Sequence, residues 1–205
     1  LLGVIVWGGF ILQMLGLTDI TPAVSAFLTS LYVVFTALIG VAFGMQKLTR
    51  FAILGVLLAT FGAGWISGPP QLNFGLGEWL TVGCAFLFGA HIIATDRVTK
   101  VVDPIQVTAT MLITVAGLSI LVYLVVSREF TSEFVTLLKE FDFTFPLMLC
   151  AVLGSLVALL VLNIFQKQVT PVRAAILYAL EPVWAMLGSL VLGLEGEVTL
   201  WLPVG

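Results

Sequence analysis

Charge is what this 205-residue chain has least of: Asp, Glu, Lys and Arg together make up only 9% of it. Average soluble domains carry about 25% charged residues, so the chain cannot clothe a water-facing surface in polar groups. That excludes a soluble enzyme, a disordered segment and a nucleic-acid binder. With eight Lys and Arg against eleven Asp and Glu, no basic patch is available for phosphates. Histidine occurs once, as His91, and cysteine twice, as the distant pair Cys84 and Cys150. A zinc site wants about four N/S ligands, so no metal site is expected, and nothing calls for a cofactor. Both cysteines lie in apolar runs, which argues against a disulfide framework. HExxH, GxSxG and GxxxxGK[ST] patterns are all missing, so neither an intramembrane protease nor an ATPase is expected.

What is there is apolar surface: 60% hydrophobic residues and a mean hydropathy of +1.20. A membrane span needs about 20 apolar residues. Seven runs meet or approach this, roughly 1–17, 22–44, 51–67, 77–95, 104–126, 145–165 and 172–194, and an eighth begins at Leu200. The runs are continuous rather than alternating, which favours helices over a barrel. The expectation is an all-α integral membrane protein with seven complete transmembrane helices and part of an eighth. Residue 1 is already apolar and is not Met, so the chain reads as a piece of a longer protein.

Lys47 and Arg50, Arg97 and Lys100, and Lys167 and Arg173 fall in the connections after the second, fourth and sixth runs. The positive-inside rule places these loops in the cytoplasm, and the expected location is the plasma membrane. Between Arg128 and Asp142, Phe130, Phe134, Leu137, Leu138 and Phe141 recur at helical spacing among charges. This predicts a short amphipathic helix at the outer interface.

The segment from Thr21-Pro22 to Leu28 recurs 149 positions later as Thr170-Pro171 to Leu177, and the register holds at Leu31/Leu180, Val34/Val183 and Leu38/Leu187. Thr suits a helix cap and Pro the first turn at both places. The copies lie in the second and seventh runs, five apart, and an odd repeat length inverts the second copy. Inverted repeats are a transporter signature, with the solute site near the midplane. The expected units are 1–67, the later part of a first repeat; 68–76, an external linker; and 77–205, a second repeat.

Gln13 to Leu17 followed by Thr21 to Leu28 resembles the end of the third and start of the fourth helix of an EamA domain. Gln166 to Pro171, with Ala174 to Val183 and its Leu-Glu-Pro-Val stretch, resembles the same region of a second such domain. The resemblance is to the drug/metabolite transporter superfamily, and it covers essentially the whole chain. It implies ten helices in two inverted five-helix repeats and transport, as export, of small metabolites or drugs such as an amino acid or an organic cation. Two positions depart from the family pattern. Val33 stands where Pro is common, and Gly44-Met45-Gln46 lacks the carboxylate that Glu195 and Glu197 supply in the second copy.

Glu181 is the principal candidate. It lies nine positions into the seventh run, about 13 Å deep at about 1.5 Å per residue. A bare carboxylate there costs about 2.5–3.5 kcal/mol. It would bind a cationic or amino solute or exchange a proton; the alternative is a protonated side chain fixing helix packing. Pro182 denies a hydrogen bond to the Tyr178 carbonyl and predicts a kink. Tyr32 is the repeat partner of Glu181 and, with Tyr178, would face the same cavity. His91 is read either as a proton relay or as a satisfied structural histidine. Trp184 would flank a solute ring or simply anchor packing. Gln13, Gln106 and Asn163 are expected to make interhelical hydrogen bonds. The competing function is a non-transporting membrane scaffold. The expected partners are a small-molecule solute and the lipid bilayer; oligomeric state is not encoded in these patterns.

Overall fold

The computed structural model describes residues 1–45, 49–66, 74–127 and 132–180. These residues are helical and turn, with no strand among them. In chain order the helices are α1 (Leu2–Gly16), α2 (Pro22–Ser30), α3 (Tyr32–Ala42), α4 (Arg50–Ile66), α5 (Leu76–Val98) and α6 (Pro104–Ser127). Then come α7 (Ser132–Leu137), α8 (Phe141–Leu149), a π-helical stretch Cys150–Val157, α9 (Ala158–Gln166) and α10 (Pro171–Tyr178). Among the described residues, four helical stretches are long and apolar enough to cross a membrane: Val24–Ala42, Leu76–Val98, Pro104–Val126 and Phe141–Gln166. Leu2–Gly16 is a shorter apolar helix.

The helix ends follow local chemistry. Asp103 Oδ1 accepts from the amides of Ile105 (2.8 Å) and Gln106 (3.4 Å), capping α6 just ahead of Pro104. Glu78 Oε2 accepts from the Gly75 amide at 2.8 Å at the start of α5, as a capping box does. The two Thr-Pro helices open alike: Thr21 has φ −71°, ψ 153° and Thr170 has φ −71°, ψ 149°. Both also end alike. The Leu31 amide bonds the Leu28 carbonyl at 3.2 Å, and the Leu180 amide bonds the Leu177 carbonyl at 3.2 Å, in each case a tightened three-residue turn. The second run is therefore interrupted at Leu31, where a single helix was expected. No proline or glycine marks that break, since Val33 occupies the position that Pro182 holds in the other copy.

Two further expectations are adjusted. Among the described residues of the amphipathic segment, Ser132–Leu137 form α7; the Lys139 and Glu140 amides close a turn on Thr136 and Leu137, both at 3.0 Å. Phe141 instead opens α8, stacking on Phe145 with centroids 5.2 Å apart. The sixth span consequently starts four residues earlier than expected. Pro146 lies inside α8 and offers no amide to the Asp142 carbonyl; the helix then widens over Cys150–Val157, where Ser155 Oγ donates to the Cys150 carbonyl five residues back.

The chain packs as two compact units, one of Leu1–Trp7 and Thr95–Gln168, the other of Gly8–Ala94 with the described part of Val169–Gly205. In the first, α6 packs on α9, and a Cβ at Gly3 would lie 2.6 Å from Thr114 Cβ, so α1 begins hard against α6. The apolar residues of Phe141–Gln166 are mostly exposed, as lipid-facing surface would be. In the second, α10 packs on α3 and α4, and α4 also meets α2 and α3. Its core is Tyr32, Val33, Ala85, Ile92, Ala175 and Ala179, drawn from α3, α5, α10 and the turn that closes α10. Small residues allow these backbones to approach closely: Gly89 of α5 faces the Phe35 side chain and the Tyr32 carbonyl, and Gly55 of α4 faces Ile176. Some buried hydroxyls bond within their own helices, as Thr36 does to the Tyr32 carbonyl (2.7 Å) and Thr81 to the Gly77 carbonyl (2.9 Å), while Ser25 Oγ and Thr60 Oγ1 are buried without a hydrogen-bond partner.

Candidate functional site

Three of the expected site residues fall in the second unit. Tyr32, the first residue of α3, is buried at 9% exposure and belongs to the core cluster. Tyr178, the last residue of α10, is half-buried and packs against the same cluster. Position 32 sits on α3 because the turn at Leu31 restarts the helix there, and position 178 precedes the matching turn at Leu180. The two tyrosines, 146 positions apart in sequence, thus share one packed core. His91 is buried at 4% exposure on α5, directly before the core residue Ile92. Glu181, Pro182 and Trp184 lie outside the described residues. Among the described residues no group of three or more His, Cys, Asp or Glu is placed to hold a metal ion.

The interhelical polar residues divide. Gln13 Nε2 donates to Thr29 Oγ1 at 3.2 Å, joining α1 to α2 in the second unit. Asn163 Nδ2 donates to Thr108 Oγ1 at 2.8 Å, joining α9 to α6 in the first. Gln106 is exposed beside its helix cap. Of the six basic residues read as loop markers, Arg50, Arg97, Lys100, Lys167 and Arg173 are exposed at helix ends, and Lys47 lies outside the described residues.

Asp96 went unnoticed in the sequence because it stands beside Arg97 and Lys100 at the end of a run, where charge reads as loop. The structure buries it at 2% exposure, with Oδ2 2.8 Å from Lys100 Nζ. The signal that could have found it is the four-residue spacing of Asp96 and Lys100, one helical turn.

Comparison with known proteins decides the family. The model of the EamA-like transporter family matches residues 75–202, more than half of the chain. The chain belongs to the EamA-like transporter family. It is accordingly a multi-pass membrane protein. A curated relative of this EamA chain, an uncharacterized transporter from Archaeoglobus fulgidus, is 28% identical over 192 residues. The alignment takes in 92% of this chain and 58% of the relative, so the chain spans little more than half of that protein's length. A protein of solved crystal structure shares the fold, with a TM-score of 0.71 at 19% identity over 93% of this chain and 65% of its own.

Proposed function

We propose that this EamA chain forms the larger part of a secondary transporter that exports a small organic solute, an amino acid, organic cation or drug, by alternating access. Residues 1–67 and 77–205 form its two inverted repeats, and the basic loops face the cytoplasm from the plasma membrane. The observation that carries the reading is the shared core of Tyr32 and Tyr178. It joins the position equivalent to Glu181 in one repeat to the residue three places before Glu181 in the other. Family membership and the transporter relative support the same reading.

In this mechanism Glu181 takes the cationic end of the solute or the coupling proton, and the tyrosine hydroxyls bind its polar groups. His91 lies near enough to the same core in sequence to serve as relay, and Trp184 flanks the solute. The kink expected at Pro182 exposes a backbone carbonyl, supplying a further acceptor. No covalent step and no cofactor is required.

The test is solute flux in proteoliposomes made with the full-length protein, scanned over amino acids and aromatic cations at several pH values. Glu181→Gln is expected to lower flux by about ten-fold or more or to remove its pH dependence, since a buried charge-assisted contact is worth about 1.5–3 kcal/mol. Flux identical to wild type at every pH would contradict the reading and leave a scaffold role.

A further inference from the structure

Glycines let α1 and α5 interlock. A Cβ at Gly9 of α1 would lie 2.5 Å from the Phe88 ring of α5, and one at Gly8 3.1 Å from Leu87. One at Gly16 would lie 2.5 Å from Thr81 Oγ1 and 2.9 Å from the Gly77 carbonyl. The fit is reciprocal. A Cβ at Gly83 of α5 would lie 3.2 Å from Leu12 Cδ1, and one at Gly77 2.8 Å from Asp19 Cβ, in the turn after α1. Partner numbers on α5 fall as those on α1 rise, so the two helices run antiparallel. Each helix fills with its side chains the gaps that the other's glycines leave, so the backbones approach closely and dispersion holds them. Sliding by one turn, about 5.4 Å, would set the Phe88 ring against Ile5 or Gln13 in place of Gly9. The contact therefore resists sliding as well as separation. Another side of α5 meets α3. A Cβ at Gly89 would lie 2.9 Å from Phe35 Cβ and 3.1 Å from the Tyr32 carbonyl, and the rings of Phe86 and Phe35 meet edge to face, 5.6 Å between centroids.

Helices α1 and α3 lie before residue 67 and α5 begins at Leu76, so both contacts cross the boundary between the two proposed repeats. We propose that α5 moves with α1 and α3 through the transport cycle, so that the boundary between moving bodies is not the boundary between the repeats. Were each repeat a rigid body turning against the other, α5 would have to break or slide both interfaces in every cycle. Each glycine notch left empty would forfeit its contacts outright. The division into compact units runs the same way: α1 from Gly8, α3, and α5 as far as Ala94 fall in one unit. For the solute core the consequence is a preformed wall. Tyr32 and Val33 of α3 keep their places against Ala85 and Ile92 of α5, and access is opened by other helices. The inference rests on the transporter reading and names the part of the molecule that stays fixed within it.

The test uses the full-length protein with Cys84 and Cys150 replaced by alanine. Two cysteine pairs, Asp19→Cys with Gly77→Cys and Phe35→Cys with Gly89→Cys, tie α5 to the end of α1 and to α3. Their Cβ separations of 2.8 and 2.9 Å open slightly to reach the about 3.5–4.5 Å of a disulfide. Flux of the amino acid or aromatic cation moved in the scan above is measured in proteoliposomes before and after oxidation. Oxidised and reduced flux are expected to agree within about two-fold for both pairs, as they must if neither interface opens. A larger fall on oxidation of either pair, reversed by reductant, would overturn the inference. Pulsed EPR between spin labels at the exposed positions Leu38 of α3 and Trp79 of α5 leaves every glycine in place and needs no solute. One narrow distance at every pH of the flux scan is expected; two populations, or one that shifts with pH, would overturn the inference. If the wild type moves no solute, the transporter reading fails, and the EPR distance alone decides whether α3 and α5 are one body. It also decides if a cysteine pair fails to fold.

Discussion

Gly89 and Gly117 are both helical glycines, yet their surroundings are opposite. A Cβ at Gly89 would come within 2.9 Å of Phe35 Cβ and 3.0 Å of the Thr36 amide, whereas one at Gly117 would meet nothing within 4 Å. Gly89→Ala must move backbone, so it is expected to destabilise by about 1–3 kcal/mol. Gly117→Ala should be neutral or stabilise by up to about 1 kcal/mol through helix propensity alone. Paired thermal melts in detergent check both; an equal effect of the two substitutions would refute the close α3–α5 approach. Residue chemistry was only partly legible in the sequence. The repeat pairs Tyr32 with Glu181, which lies outside the described residues, and the structure packs Tyr32 and Tyr178 in one core. Asp96 was hidden by its neighbours, and Asn163 bonds Thr108, 55 residues away.

At the scale of single elements, the two Thr-Pro helices share a backbone but not a cap. Thr21 accepts from the Val24 amide at 3.4 Å, while Thr170 makes no side-chain cap bond. Thr21→Ala is therefore expected to cost about 0.5–1 kcal/mol, the low end for a long cap bond, and Thr170→Ala less than about 0.5 kcal/mol. Chemical or thermal unfolding of the two variants side by side measures the difference. Helices within the first six apolar runs and at the start of the seventh were readable because apolar runs and Asp-Pro and Thr-Pro starts are local signals; the rest of the seventh and the eighth lie outside the described residues. The interruption at Leu31 was not, because Leu31, Tyr32 and Val33 are all acceptable helix residues. The extension of the sixth span back to Phe141 was likewise concealed, since its phenylalanines alternate with charges that suggest an interfacial helix.

For the whole molecule, the proposed transport mechanism requires two halves of opposite orientation, the arrangement by which one solute site opens to either side of a membrane. The matching turns at Leu31 and Leu180 belong to equivalent places in the two copies, and the family match places the chain among EamA-like transporters. Orientation itself was inferred from where Lys and Arg fall. The most direct test is side-specific labelling of the full-length protein in intact cells, with the native cysteines replaced and a single cysteine placed at Thr21 or at Thr170. Both positions are exposed at helix starts. An impermeant maleimide should label Thr21→Cys from outside the cell and Thr170→Cys only after the membrane is opened. Labelling of both from the same side would contradict inversion and, with it, alternating access between these repeats.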